Sequence, residues 1–272
     1  MTPELLRRRG VLVGVVHLPA LPGAPRYAGS MNAVVHGAER DAHALASAGF
    51  DAVIVENFGD APFHRGACPA ETIAAMAVCA ERVRRVAGLP LGVNVLRNDG
   101  DGAMAVAAAT EACFVRVNVL VGARVTDQGV IESCAATMLR TRARLQARGV
   151  GVVADVDVKH SSPLGSPRLA EEAREAVERA LADVLVVTGA GTGREASEAT
   201  ARAVRAAAPE TPLWVGSGVR PGTLPAWLSR CDGVIVGSAL REGDRAGGPV
   251  VPARARAFAE AFREAERSRS AP

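Results

Sequence analysis

Aromatic residues are scarce in this chain of 272 residues, where six Phe, two Trp and one Tyr make up 3%. The core must therefore be built from Val, Leu, Ile and Ala within the 49% of hydrophobic residues. The same shortage removes the stacking platforms used to hold single-stranded nucleic acid. The formal net charge of +3 comes from ions spread along the chain, without a basic stripe. A nucleic-acid partner is not expected. Long apolar runs are missing too, because charged or turn residues interrupt each one before the ~20 residues of a membrane span. Behind Arg7-Arg8-Arg9, the stretch 11–16 is too short for a signal-peptide core and reads as a strand. No membrane insertion is expected.

The five cysteines (Cys68, Cys79, Cys113, Cys134 and Cys231) are odd in number, far apart and without a CxxC pair. That usage fits reduced thiols in the cytoplasm and argues against a cysteine metal site. No HxH or HExxH spacing occurs, so no cofactor is firmly implied. A divalent cation held by Glu56, Asp155, Asp157 and His17 stays open as an alternative. The GxGxxG turn of an open dinucleotide-binding sheet is also absent, and His17-Leu18-Pro19 stands in its place.

The sharpest scarcity is lysine, since Lys159 is the only one among 32 basic residues. Where either cation would serve, this chain carries Arg. A lone lysine then marks a place suited to a compact ammonium that can lose its proton, for phosphate contact, acid–base work or Schiff-base chemistry. Chance survival at an ordinary surface position is the plain alternative.

What the chain has in quantity is a repeat of short β-branched runs, polar or glycine-bearing ends and Ala-rich amphipathic stretches. Strands are predicted at 11–17, 51–56, 91–96, 114–119, 150–156, 183–188, 213–216 and 233–237. Helices are predicted near 31–48, 69–86, 132–148, 168–181, 195–207, 221–228 and 252–267. Strands alternating with helices, with no break in composition, predict a single (β/α)₈ TIM barrel over 1–272 with a frayed tail at 268–272. The open doubly wound sheet is the second choice.

In such a barrel the active site lies at the C-terminal strand ends. Reading each strand to its end gives His17, then Glu56 and Asn57, then Asn94, then Arg116 and Asn118. The fifth strand gives Asp155, Asp157 and Lys159 on one face if it stays extended, with His160 beside them, and the sixth gives Thr188. Converging charges are costly without partners, water or ligand, and they perturb one another's proton affinity. Glu56, Asp155, Asp157, Lys159 and His17 are thus the catalytic candidates, and Asn57, Asn94, Arg116, Asn118, His160 and Thr188 the substrate-binding ones. His17 as a simple cap of the mouth, and Asp155 as a structural partner of Arg116, are the competing roles. Asp51 and Asp183, at the opposite rim, read as helix-cap or loop residues.

The last two strands run into Gly216-Ser217-Gly218 and Gly237-Ser238. Glycine lets backbone N–H groups approach an anion, and loops after strands seven and eight bind phosphate in many barrels. A third glycine-rich loop holds Gly189 and Gly191 and is either a further phosphate contact, a lid or a plain turn. The segments 17–30 and 119–131 are long enough to cover a substrate, and Asp127 in the second is a candidate contact.

His17-Leu18-Pro19-Ala20-Leu21-Pro22-Gly23-Ala24-Pro25-Arg26-Tyr27 resembles the opening motif of the BtpA family, with Ala20 where a second proline is expected. Val55-Glu56-Asn57-Phe58-Gly59-Asp60, Gly92-Val93-Asn94-Val95-Leu96-Arg97-Asn98-Asp99 and Arg116-Val117-Asn118 are similar too. So are Thr126-Asp127-Gln128-Gly129, Asp157-Val158-Lys159-His160 and Val236-Gly237-Ser238-Ala239-Leu240. The resemblance implies a ribulose-phosphate-binding type of barrel. It leaves the activity open, since the family's name comes from photosystem I biogenesis and other members are catalogued as sugar-operon proteins or nucleoside triphosphatases.

The expected activity is acid–base catalysis on a small phosphorylated sugar or nucleotide-like compound, most directly at an anomeric carbon. A phosphosugar isomerase or an aldolase using Lys159, a non-catalytic assembly factor and a divalent-metal hydrolase are the alternatives. A homo-oligomer is expected on general frequency alone.

Overall fold

The computed structural model describes residues 3–165, 168–189, 191–193 and 195–270. Eight parallel strands close into a barrel: β1 (Val11–His17), β2 (Ala52–Glu56), β3 (Leu91–Asn94), β4 (Phe114–Val117), β7 (Gly151–Val156), β9 (Val184–Val187), β10 (Leu213–Val215) and β11 (Gly233–Val236). Their Val-rich runs are buried on both faces, as strands between a filled lumen and an outer ring of helices must be. The ring consists of α2 (Met31–Ser47), α3 (Ala70–Ala87), α4 (Gly100–Ala109), α5 (Ala135–Arg144), α6 (Leu169–Glu178), α7 (Glu198–Ala207), α8 (Leu224–Leu228) and α9 (Pro252–Ser270). Helix α4 had no counterpart among the expected helices. It is built mostly of Ala and Gly and lies largely buried, so it shows no polar stripe to read. α9 continues through 268–270, which were expected to fray, and Ala271 and Pro272 lie outside the described residues.

The lumen is packed by Val11, Val13, Val15, Ala52, Ile54, Phe114, Val153, Val184, Val186, Trp214 and Ile235. Leu6, from the short N-terminal helix α1 (Glu4–Arg7), joins this cluster. Phe114 and Trp214 meet edge to face at 5.9 Å. Their strand neighbours Gly92 and Gly233 make the room, because a Cβ there would fall 2.4 Å from Phe114 and 2.7 Å from Trp214.

At the N-terminal rim, aspartates close the strand ends. Asp51 accepts from Leu12 N–H at 2.8 Å, Asp183 from Val152 N–H at 2.8 Å and Asp232 from Leu213 N–H at 3.0 Å. Asp51 and Asp183 are therefore loop residues that satisfy a neighbouring strand, not helix caps.

The segment 119–131, expected as an irregular cover, holds a hairpin of β5 (Ala123–Thr126) and β6 (Gly129–Glu132). β8 (Ser161–Pro163) pairs with β5 and completes a small antiparallel sheet beside the barrel mouth.

Candidate functional site

Period-two alternation carries the inward row of each strand from apolar lumen residues to polar ones at the mouth. His17 lies in register with Glu56, and Glu56 with Asn94. Asn94 Nδ2 donates to Glu56 Oε2 at 2.8 Å, while Glu56 Oε1 lies 3.8 Å from His17 Nε2. His17 Nδ1 accepts from Gly247 N–H at 3.2 Å, which places the ring proton on Nε2, facing the carboxylate. Burial holds the His17 pKa well below 6.5, helped by the positive charges of Arg241, Lys159 and Arg116, so the ring is neutral at neutral pH.

Across the mouth, Arg116 grips Asp155 with two bonds, Nε to Oδ1 at 3.0 Å and Nη2 to Oδ2 at 3.1 Å. Asn118 Nδ2 adds a third, to Asp155 Oδ2 at 2.7 Å. A carboxylate bound to a guanidinium accepts only, so the Asn118 amide must point its nitrogen there. That leaves buried Asn118 Oδ1 with no hydrogen-bond partner among the described residues. Gln128 Oε1, from the hairpin turn, is a second acceptor in the same condition.

Lys159 follows β7 where the chain leaves the strand. Its N–H donates to Thr188 Oγ1 at 3.1 Å and its carbonyl accepts from Arg97 Nη2 at 2.5 Å. Burial, then the charge of Arg116, pushes the Lys159 pKa below 10.5, against the opposing pull of Glu56 and Asp155.

These groups surround a cavity of two lobes. The inner lobe is walled by Gly193, Gly216, Ser217, Gly218, Gly237 and Ser238. The outer cleft, of 820 Å³, is walled by Arg26, Phe58, Phe63, Arg97, Asn118, Asp127, Gln128 and His160 among others. Glu56, Arg116, Lys159 and Thr192 line both. Space is tight for any side chain at two inner-lobe glycines. A Cβ on Gly216 would fall 2.8 Å from Val186 Cγ1, and one on Gly237 would fall 3.0 Å from His17 Cε1.

The structure thus gathers His17, Glu56, Arg116, Lys159, Gly216, Ser217, Gly218, Gly237 and Ser238 around one lobe and Asn118 and His160 around the other. Asn94, Asp155 and Thr188 stand behind them and hold Glu56, Arg116 and Lys159 in place. Four candidates lie elsewhere. Asn57 is consumed by structure: its Oδ1 accepts from Leu96 N–H at 2.7 Å, and its Nδ2 donates to Asp60 Oδ2 and Leu96 O. Asp157 does not share a face with Asp155, because β7 ends at Val156 and Asp157 turns out with φ +53°. It pairs with Arg124 of the hairpin at 2.7 Å, a guanidinium that also reaches Glu172 at 3.4 Å. Gly189 bridges to Ala196, and the Gly191 carbonyl accepts from Ser217 Oγ at 3.2 Å. The metal alternative loses its donor set on the same grounds. Asp155 is bound to Arg116 and Asp157 faces away, and no group of three His, Cys, Asp or Glu converges among the described residues.

Arg26, Arg97 and Gln128 were missed as site residues, although each falls inside a motif noted above. Arg241 was missed as well. Its fully buried guanidinium donates to the carbonyls of Gly248 (2.6 Å), Gly237 (2.6 Å) and Val15 (2.8 Å), and lies 3.5 Å from Asp41 Oδ2. It fixes the glycine turn after β11 against β1.

The model of the BtpA family matches residues 8–264. The chain belongs to the BtpA family. A photosystem I biogenesis protein of Synechocystis is 40% identical over 95% of this chain and 90% of its own length. An uncharacterized protein of Thermococcus kodakarensis is 43% identical over 96% of this chain and 98% of its own. Among solved structures, phosphoribosyl anthranilate isomerase from Thermus thermophilus superposes with a TM-score of 0.58 at 13% identity, covering 93% of this chain and 98% of that one. At that identity the likeness shows the barrel fold alone. No helix of this BtpA-family chain, among the described residues, is long and apolar enough to cross a membrane.

Proposed function

We propose that this BtpA-family chain is an enzyme acting on a small phosphorylated, hydroxyl-bearing compound of the sugar-phosphate or ribosyl-phosphate type, with Glu56 as the general acid–base. The observation that carries this reading is the position of Glu56 where the two lobes meet. Among the described residues it is the one carboxylate lining both lobes, with Oε2 held by Asn94 and Oε1 turned toward a neutral His17. Arg116 and Lys159 give the inner lobe the positive charge a phosphate ester needs, and the glycines allow close approach to backbone. Asn118 Oδ1 and Gln128 Oε1 would accept from hydroxyl or N–H groups of the substrate, relieving the cost of two unsatisfied acceptors.

Proton transfer beside a carbonyl, as in an isomerase or lyase, is favoured over chemistry at an anomeric carbon. Glycosidic chemistry uses two opposed carboxylates. Here Asp155 is committed to Arg116 and Asn118, and Asp157 lies outside the mouth.

Thermal-shift measurements against inorganic phosphate, sugar phosphates and nucleotides test the reading, because a ligand that binds only the native state raises its apparent stability. A rise in Tm is expected, and Ser238→Glu should abolish it by placing a negative charge in the inner lobe. With the compound so found, Glu56→Gln should lower turnover by roughly 10²–10⁴-fold and leave the Tm shift in place. No shift from any phosphorylated compound, with Ser238→Glu behaving as wild type, overturns the reading. Full turnover by Glu56→Gln removes the acid–base role, and binding without turnover by wild type favours the assembly-factor alternative.

A further inference from the structure

Lys159 is placed with more care than a phosphate-binding cation requires. Its backbone is fixed at both ends, by Thr188 Oγ1 at the N–H and by the Arg97 guanidinium at the carbonyl. Its side chain lines the inner lobe and the outer cleft together. Yet no hydrogen bond or ion pair reaches its Nζ from any described residue. Apart from Glu56 Oε1, which faces His17 Nε2 at 3.8 Å, the carboxylate oxygens nearby are already engaged. Both oxygens of Asp155 accept from Arg116 and Asn118, and Glu56 Oε2 accepts from Asn94. Arg116 and Arg97 add like charge to its surroundings, against the opposing pull of Glu56 and Asp155. An amine without a carboxylate partner, beside fixed guanidinium groups and a carboxyl group, is arranged as a nucleophile.

We propose that Lys159 captures the carbonyl carbon of the substrate as an imine, which makes the substrate a phosphorylated ketone or aldehyde. This rests on the phosphate seat and acid–base role proposed above. The neutral amine attacks the carbonyl carbon, the C=O π electrons move to oxygen, that oxygen takes a proton and the nitrogen gives one up, leaving a neutral carbinolamine. The hydroxyl then takes a second proton and leaves as water, and the nitrogen lone pair closes the C=N bond. One proton and one carbonyl compound are consumed per amine, one water is released, and no oxidant or reductant enters. Glu56, at the junction, is positioned to carry the protons on and off oxygen. The resulting iminium draws electrons from the adjacent carbon, where the same carboxylate can remove a proton. Asn118 Oδ1 and Gln128 Oε1 then hold hydroxyls further along the chain.

The presence of a single lysine makes the test direct. The folded protein is treated with dihydroxyacetone phosphate and sodium cyanoborohydride, and adducts are mapped by peptide mass spectrometry to separate Lys159 from the N-terminal amine. Dihydroxyacetone and Nα-acetyl-lysine serve as the unphosphorylated probe and the reference amine. The expected result is an adduct on Lys159 formed at least about tenfold faster than on Nα-acetyl-lysine. It should form faster with the phosphorylated probe and be slowed by inorganic phosphate. Lys159→Arg should keep its Tm and lose the adduct. Labelling no faster than the reference overturns the imine. If inorganic phosphate still raises the Tm in that case, the phosphate seat survives alone. Rapid labelling that is indifferent to phosphate upholds the imine and removes the seat.

Discussion

The two ends of this barrel use acidic residues in opposite ways. At the N-terminal rim, Asp51, Asp183 and Asp232 each accept from a backbone N–H of the neighbouring strand, and Asp51 and Asp232 also pair with arginines. At the C-terminal rim, Glu56 and Asp155 meet side chains instead, and the network stops short of closing. Among the described residues, Glu56 Oε1 and Asn118 Oδ1 take no hydrogen bond and Lys159 has no ion-pair partner. A carboxylate that satisfies backbone serves the fold. One that leaves its neighbours unsatisfied is kept for something that binds. The cost of the second arrangement is of the order of a few kcal/mol per buried unpaired group, which the well-filled lumen must offset.

Substitutions at the two rims can break this contrast or sharpen it. Asp155→Ala leaves the buried Arg116 guanidinium without its counter-ion and should lower unfolding stability in urea by about 3–5 kcal/mol. It should also disorder the mouth, so that the Tm shift from phosphorylated ligands disappears with it. Asp183→Ala orphans one strand N–H and should cost about 1–3 kcal/mol while ligand binding persists at the far rim. If Asp183→Ala abolished binding, or Asp155→Ala left it intact, the division between the rims would fail. The smallest effect concerns His17. Its folded pKa lies below 6.5, so as pH falls through 6.5 the unfolded chain takes up a proton that the folded one refuses. Stability attributable to His17 is therefore whole above pH 6.5 and declines below it, by at most about 1.4 kcal/mol per pH unit. Urea titrations from pH 7 down to 5 should show a shallower loss for His17→Asn than for wild type. Equal slopes would mean that His17 protonates as readily in the folded protein as in the open chain.

Much of this was legible in the residues, for a physical reason. Buried parallel strands need β-branched runs, so the eight strands stand out, and alternation along β1, β2, β4 and β7 carries His17, Glu56, Arg116 and Asp155 inward. Alternation holds only while a strand stays extended. Asp157 escaped for that reason, since a left-handed backbone one residue past β7 sends it to Arg124. Asn57 escaped because an amide that completes a turn is the same letter as one that meets a substrate. Arg97 and Arg241 were hidden by abundance, as Arg is this chain's default cation and nothing local separates a buried one from its many exposed copies. Lysine shows the converse. Scarcity made Lys159 visible, and the mouth of the barrel is where it lies. Helix α4 was invisible because an Ala and Gly helix buried over most of its surface carries no period.

Arg241 has a consequence for the order in which the protein becomes functional. Its guanidinium, 226 residues along the chain from Val15, joins the carbonyl of Val15 to that of Gly237. The first strand leaves the ribosome long before the residue that fastens it to the last. Until Arg241 has been synthesised and buried, the glycine turn of the inner lobe has no fixed wall beside β1. A shortened translation product ending just ahead of it would hold all eight barrel strands yet lack the clamp that fixes this turn against the first strand.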